Sequence, residues 1–138
     1  MRYRVVLDTN VIFSAIGWRG KPRDCLELAR TQAIQGLICQ HILDELLEKL
    51  ITKMHLTLDE ASVVIDELLV FMEIVEIMGA LQGVCGDPND DAVLECALKG
   101  QATHLVTGDT KHLLPLKRFE GIEIVSPAEF LQIIQREK

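Results

Sequence analysis

The chain contains no closely spaced cysteine pair, no apolar run approaching the roughly 20 residues that a membrane-spanning helix requires, and no excess of basic charge. Each absence removes a class of function. Cys25, Cys39, Cys85 and Cys96 stand far apart without a C-x-x-C spacing, and no histidine accompanies them in a ligand pattern. That argues against a structural zinc site and leaves buried free thiols. No membrane association is expected, and the opening MRYRVVLDTN carries an acid at position 8 with neither an apolar h-region nor a cleavage site, so the expected location is the cytoplasm. A net charge of −7 argues against a broad basic face for nucleic acid. Any such contact must be local or bridged by a cation. Where a phosphate-binding loop would need glycines after the first strand, the chain has Asp8-Thr9-Asn10-Val11, which ranks nucleotide-binding and phosphatase-like α/β readings last. Repeats and low-complexity segments are absent as well.

What is present fits one domain over residues 1–138, with 49% hydrophobic residues to form its core. Tyr3 to Leu7 reads as a buried strand ending at Asp8, and Val11 to Ile16 continues as a helix that the Gly17-to-Pro22 stretch breaks. Helical spacing then recurs from Arg23 to about Gln35, with Gly36 as its stop. Leu37 to Cys39 suits a short strand before the helix through Ile42, Leu46 and Leu50, and Thr57 with Glu60 has the spacing of a capping box. Glu73 to Met78 alternates like an edge strand. A helix is expected from about Asp90 to Lys99, strands at His104 to Thr107 and Ile122 to Val125, and a capped helix from Ser126. Strands alternating with helices, without tight hairpins, predict βαβ units: a three-layer α/β/α sandwich around a central parallel sheet.

In such sheets ligands bind beyond the carboxyl ends of the strands. Asp8 follows the first strand directly and Asp109 follows the His104 strand within two residues of its end, so both carboxylates are expected at the same end of the sheet. Taken singly, each acid has a plain structural use: Asp8 as a helix cap, Asp109 as a turn residue, Glu45 as a solvated helix glutamate. Asp87-Pro88-Asn89-Asp90-Asp91 exceeds what capping needs. Three acids within five residues at a helix start repel one another and invite a hard divalent cation, whose usual ligands are carboxylates, water and phosphate.

These residues together resemble a family. Leu-Asp-Thr-Asn-Val near the start, Ile-Leu-Asp-Glu-Leu in a middle helix, Asp-Pro-Asn-Asp-Asp ahead of Leu94 and Ala97, and Val-Thr-Gly-Asp followed by Leu-Leu look like a PIN domain. The resemblance runs from about Tyr3 to Pro127, and its branch is that of the VapC-like ribonuclease toxins of prokaryotic toxin–antitoxin pairs. Carried over by motif, the family's acids fall on Asp8, Glu45, Asp90 and Asp109, with Asp8, Asp90 and Asp109 as metal ligands and Asn10, Asp91 and Thr107 in support. Asp90 is preferred to Asp91 because the family's third acid stands seven residues before a small residue, here Ala97. Relatives often carry a further aspartate where this chain has His112, which is read here as a turn or helix-start residue, and His41, His55 and His104 are read in the same way.

The resemblance implies Mg²⁺- or Mn²⁺-dependent hydrolysis of single-stranded RNA by an endoribonuclease. Glu45 would ligate the cation or orient the attacking water, and a small antitoxin protein would be the partner. Apolar surface around Ile42 to Ile51 and Ala61 to Met72 adds the expectation of a homodimer. The rival reading is a catalytically silent PIN-like module that holds RNA or a protein in the same cleft, against which the retention of all four acids argues. The Trp18-to-Lys21 loop, with a stackable ring beside positive charge, is a further expected RNA contact.

Overall fold

Val5, Val6 and Leu7 are fully buried in succession. Neighbouring side chains of a strand face opposite sides of a sheet, so burial at every position requires cover on both faces. The computed structural model describes residues 2–137, and in it this run is the central strand of a six-stranded sheet. The elements follow as β1 (Arg4–Leu7), α1 (Thr9–Gly17), α2 (Lys21–Arg30), β2 (Gln35–Ile38), α3 (Gln40–Thr52), α4 (Leu58–Leu69), β3 (Met72–Ile74), α5 (Pro88–Lys99), β4 (His104–Val106), β5 (Arg118–Phe119), β6 (Ile122–Val125) and α6 (Pro127–Arg136). The sheet order is β3-β2-β1-β4-β6-β5, with parallel pairing throughout except between β5 and β6. The architecture is the α/β/α sandwich expected from the sequence. Among the described residues no helix is long and apolar enough to cross a membrane.

Local signals explain most of the boundaries. At the start of α4, Thr57 Oγ1 accepts from Glu60 N–H (3.1 Å) while Glu60 Oε1 accepts from Thr57 N–H (2.9 Å). Ser126 and Glu129 repeat that reciprocal box at α6, where Pro127 stands in the first turn. Such caps contribute about 1 kcal/mol each. In α3 the buried residues Ile42, Leu43, Leu46 and Leu50 lie on one helical face, which leaves Glu45 and Lys49, one turn apart, on another. A helix linking two parallel strands has to run back along the sheet, so α1, α3 and α5 all begin near the carboxyl ends of strands.

The structure departs from the sequence reading in four places. Helix α2 stops at Arg30, not near Gln35, because Gln32 adopts φ 65° and the chain reverses through Leu28 O, which accepts from Ala33 and Ile34 N–H. Gly36 is therefore no helix stop but lies inside β2, and Cys39, expected within that strand, is the N-cap of α3. The edge strand is confined to Met72–Ile74 and does not reach Met78. A tight hairpin is present after all: Glu120 (φ 50°) and Gly121 (φ 82°) join β5 to β6. Glu-Gly is a weaker turn signal than Asn-Gly or Asp-Gly, which is why composition did not reveal it.

Gly36 has a packing role. A Cβ there would stand 2.3 Å from Met72 Sδ and 3.1 Å from Ala29 Cβ, between the neighbouring strand and α2. Gly36→Ala is expected to destabilise the fold by about 1–3 kcal/mol, the range for overpacking a filled core. Urea unfolding measures it, and an unchanged midpoint would show that Met72 yields freely.

Candidate active site

Asp8 ends β1 and caps α1. Its Oδ1 accepts from Thr9 N–H at 2.7 Å, and its Oδ2 accepts from the Thr107 hydroxyl at 2.8 Å. The parallel pairing of β1 with β4 brings that hydroxyl to Asp8 across 99 positions of chain, and Asp8 N–H continues the ladder to Val106 O. Thr107 is fully buried and also accepts from Asp109 N–H at 3.0 Å. One hydroxyl thus ties both strand-end aspartates together. Asp109 is oriented in turn by Lys111 N–H (3.0 Å) and Leu113 N–H (3.1 Å), which donate to its two oxygens.

Glu45 reaches the same place from the second turn of α3, where its Oε1 accepts from the Thr9 hydroxyl at 2.9 Å. Asp87 caps α5, accepting from Asn89 N–H, and Asp90 follows in the first helical turn. Asp8, Glu45, Asp90 and Asp109 all line one open cleft of about 480 Å³, with Asn10 at its wall. Four separate stretches of sequence therefore deliver carboxylates to one spot.

Asp91 goes elsewhere. It is buried, and its carboxylate accepts from Gly83, Val84 and Cys85 N–H at 2.8–3.1 Å. One turn further along α5, Glu95 is likewise buried and accepts from Met78 and Leu81 N–H. These two acids fasten the connection between β3 and α5 by its backbone. In both, burial alone would raise the pKa, and the backbone N–H donors outweigh it and hold the carboxyl below its ordinary value.

Inside the cleft the balance differs. Burial raises the pKa of Asp8, the Thr107 and Thr9 donors offset part of this, and the negative charges of Glu45 and Asp109 add to the rise. Asp90 is pushed up to about 7, first by burial and then by Asp109. Burial would raise Asp109 too, but the N–H groups of Lys111 and Leu113 outweigh it and Asp109 lies below its ordinary value. Of these two neighbours Asp90 is the one that holds a proton, because Asp109 has the better donors.

That assignment has a pH consequence. An unfolded aspartate ionises near pH ~4, whereas folded Asp90 does so at about 7. The folded chain binds the extra proton in between, so this group's contribution is full below about pH 4 and is lost as pH rises through about 7. Thermal melting of the metal-free chain against Asp90→Asn is expected to show the parent falling relative to the variant between roughly pH 4 and pH 7. A difference independent of pH would refute the shared proton.

Sequence reasoning did not single out Lys49 and Lys111, named Asp87 only as part of an acidic run, and read His112 as a turn or helix-start residue. Lys49, one turn after Glu45, and Lys111 line the cleft. Asp87 supplies a donor atom that lies, with one each from Asp90 and His112, within a mutual spacing of 4.8 Å. His112 Nδ1 is 3.1 Å from Asp90 Oδ2 and 3.7 Å from Asp109 Oδ2. Lys49 was recoverable from its helical spacing to Glu45, but Lys111 sits in a loop without periodicity, and the signal for His112 was its place where relatives carry an aspartate. The Trp18 ring is exposed, packs against Phe13 at 5.8 Å, and is not among the cleft's lining residues. His104 forms an edge-to-face stack with Tyr3 and Phe130 in the interior.

A mostly parallel α/β sheet carrying a carboxylate-lined cleft at its strand ends defines the class of protein. A PIN domain family profile matches residues 4–111, and the chain belongs to the PIN domain family. Two solved structures share its fold. VapBC2 from Rickettsia felis bound to a DNA fragment from their promoter is 17% identical with a TM-score of 0.56, over 88% of this chain and 96% of that one. DNA-bound VapBC from Salmonella typhimurium is 19% identical with a TM-score of 0.60, over 91% and 98%. No curated protein sequence matches the chain.

Proposed function

We propose that residues 1–138 form a single PIN-like domain acting as a Mg²⁺- or Mn²⁺-dependent endoribonuclease on single-stranded RNA, the toxin of a toxin–antitoxin pair. The observation that carries this reading is the convergence of Asp8, Glu45, Asp90 and Asp109 on one cleft, joined to a PIN domain match over most of the chain. The donor set fits a divalent cation. Burial, with the neighbouring carboxylates adding to it, raises the pKa of Asp8 and of Asp90, and a bound cation relieves that penalty on the ionised forms. Asp8, Asp90 and Asp109 would hold it. When bound, it lowers the pKa of a water and neutralises charge developing on the phosphate.

The remaining work falls to the chain. The Thr9 hydroxyl fixes Glu45, leaving that carboxylate placed to orient a water against the phosphorus. The Thr107 hydroxyl sets the rotamer of Asp8 by donating to its carboxylate and holds the backbone of Asp109 by accepting from its N–H. Lys49 and Lys111 give phosphate oxygens local positive partners in an otherwise acidic cleft. Cleavage of labelled single-stranded RNA is expected with Mn²⁺ or Mg²⁺ and is abolished by chelation. Inactivity on varied RNAs despite proven cation binding would instead favour the silent module.

The antitoxin reading draws support from two fold neighbours that are VapBC complexes. A small DNA-binding protein encoded beside this chain, co-purifying with it and suppressing cleavage, is the expected partner. Exposed Leu58, Val63 and Val70 along and beyond α4 support a homodimer; sedimentation showing monomer alone at micromolar concentration would remove it.

A further inference from the structure

The cleft contains one imidazole among its carboxylates. His112 follows Asp109 by three residues, and its Nδ1 faces both Asp90 and Asp109. Two donors in cis positions on an octahedral ion, each bonded at about 2.1 Å, stand roughly 3 Å apart. The 3.1 Å between His112 Nδ1 and Asp90 Oδ2 matches that spacing. The 3.7 Å to Asp109 Oδ2 falls between the cis and trans values, and one donor atom each of Asp87, Asp90 and His112 lie within 4.8 Å of one another.

We propose that His112 is a nitrogen ligand of the cation site and makes the site select Mn²⁺ over Mg²⁺. The proposal rests on the metal-dependent reading above and adds to it a ligand and a preference. Magnesium demands oxygen donors and dehydrates reluctantly, whereas first-row transition ions accept imidazole readily. A cluster built from carboxylates alone offers little to separate the two ions. One imidazole among them gives manganese a favourable donor at a position where magnesium has none. Ligation through Nδ1 requires the tautomer with its proton on Nε2. His112 is only partly exposed, at 37% of its side chain, so its ring is held at the cleft wall and yet open to an arriving ion.

One other histidine must be separated from it. His41 Nε2 is buried without a hydrogen-bond partner and lies 3.6 Å from Glu45 Oε1. It sits one helical turn before Glu45 on α3 and is not among the residues that line the cleft.

The test uses the full chain, stripped of metal and titrated with MnCl₂ and MgCl₂ by calorimetry, with pulsed EPR of the Mn²⁺-loaded protein to detect coupling to ¹⁴N. The parent chain is expected to bind Mn²⁺ more tightly than Mg²⁺ and to show nitrogen coupling. His112→Ala is expected to weaken Mn²⁺ by about 10–100-fold, leave Mg²⁺ nearly unchanged and erase the coupling. His112→Asp restores an oxygen donor, so it should bind both ions with little preference, again without coupling. His41→Ala should keep the signal. Mn²⁺ bound without nitrogen coupling, or coupling that survives in His112→Ala, overturns the assignment of His112 alone. Binding of Mg²⁺ without Mn²⁺ likewise overturns that assignment alone, and failure of the parent chain to bind either ion overturns it together with the metal-dependent reading.

Discussion

Asp8→Asn is expected to reduce metal-dependent RNA cleavage by at least about a hundredfold, the scale of losing one charge-stabilising group at a reacting centre. The fold should remain. Asparagine keeps an oxygen for Thr9 N–H, which now donates to Asp8 Oδ1 at 2.7 Å, so the cap on α1 survives. It loses the anionic oxygen that Thr107 supports, and with it a ligand that a hard cation needs. Metal-free stability should rise. Burial, together with Glu45 and Asp109, makes the ionised Asp8 unfavourable, and an amide removes that penalty. Melting temperature should therefore increase without metal while the gain on adding Mn²⁺ shrinks. A variant that cleaves RNA at the parental rate would reduce Asp8 to a helix cap.

Adjacent residues on α5 should respond in opposite ways. Asp91→Asn replaces a carboxylate that accepts from three backbone N–H groups with an amide carrying only one good acceptor. At about 1.5–3 kcal/mol for a hydrogen bond to a charged group, a loss of roughly 3 kcal/mol of stability is expected, read by urea unfolding. Asp90→Asn should instead be neutral or stabilising, because Asp90 already retains its proton up to about pH 7, and its penalty should appear in cleavage and cation affinity. The stabilisation from Asp91 and Glu95 carries its own pH signature. Their folded pKa values are depressed, so it is present above their unfolded values near pH ~4 and is lost as pH falls from there through the lower folded values. Equal effects of the two substitutions on stability would contradict this division of labour.

The division could not be read from residue order. Asp90 and Asp91 are neighbours about 100° apart around a helix, and nothing in the run Asp87-to-Asp91 says which direction faces the cleft. The preference for Asp90 came from the family's spacing to Ala97. The structure turns Asp90 toward Asp109 and Asp91 toward the Gly83-to-Cys85 backbone. Glu95 passed unnoticed for a related reason: a lone acid within an apolar helix face becomes meaningful only when the loop it fastens is in place.

Local patterning by itself determined the order of strands and helices apart from β5, the capping boxes at Thr57 and Ser126, and the emergence of Asp8 and Asp109 at strand ends. It could do so because caps and periodicity depend on residues within a few positions of each other. Only the tertiary structure decided what depends on contacts across long stretches of chain. The Thr107 hydroxyl reaches Asp8 through parallel pairing, Met72 and Ala29 leave no room for a side chain at Gly36, and His112 meets Asp90 because a loop folds over the start of α5. Distances of that kind arise from packing between elements, and no spacing along one element encodes them.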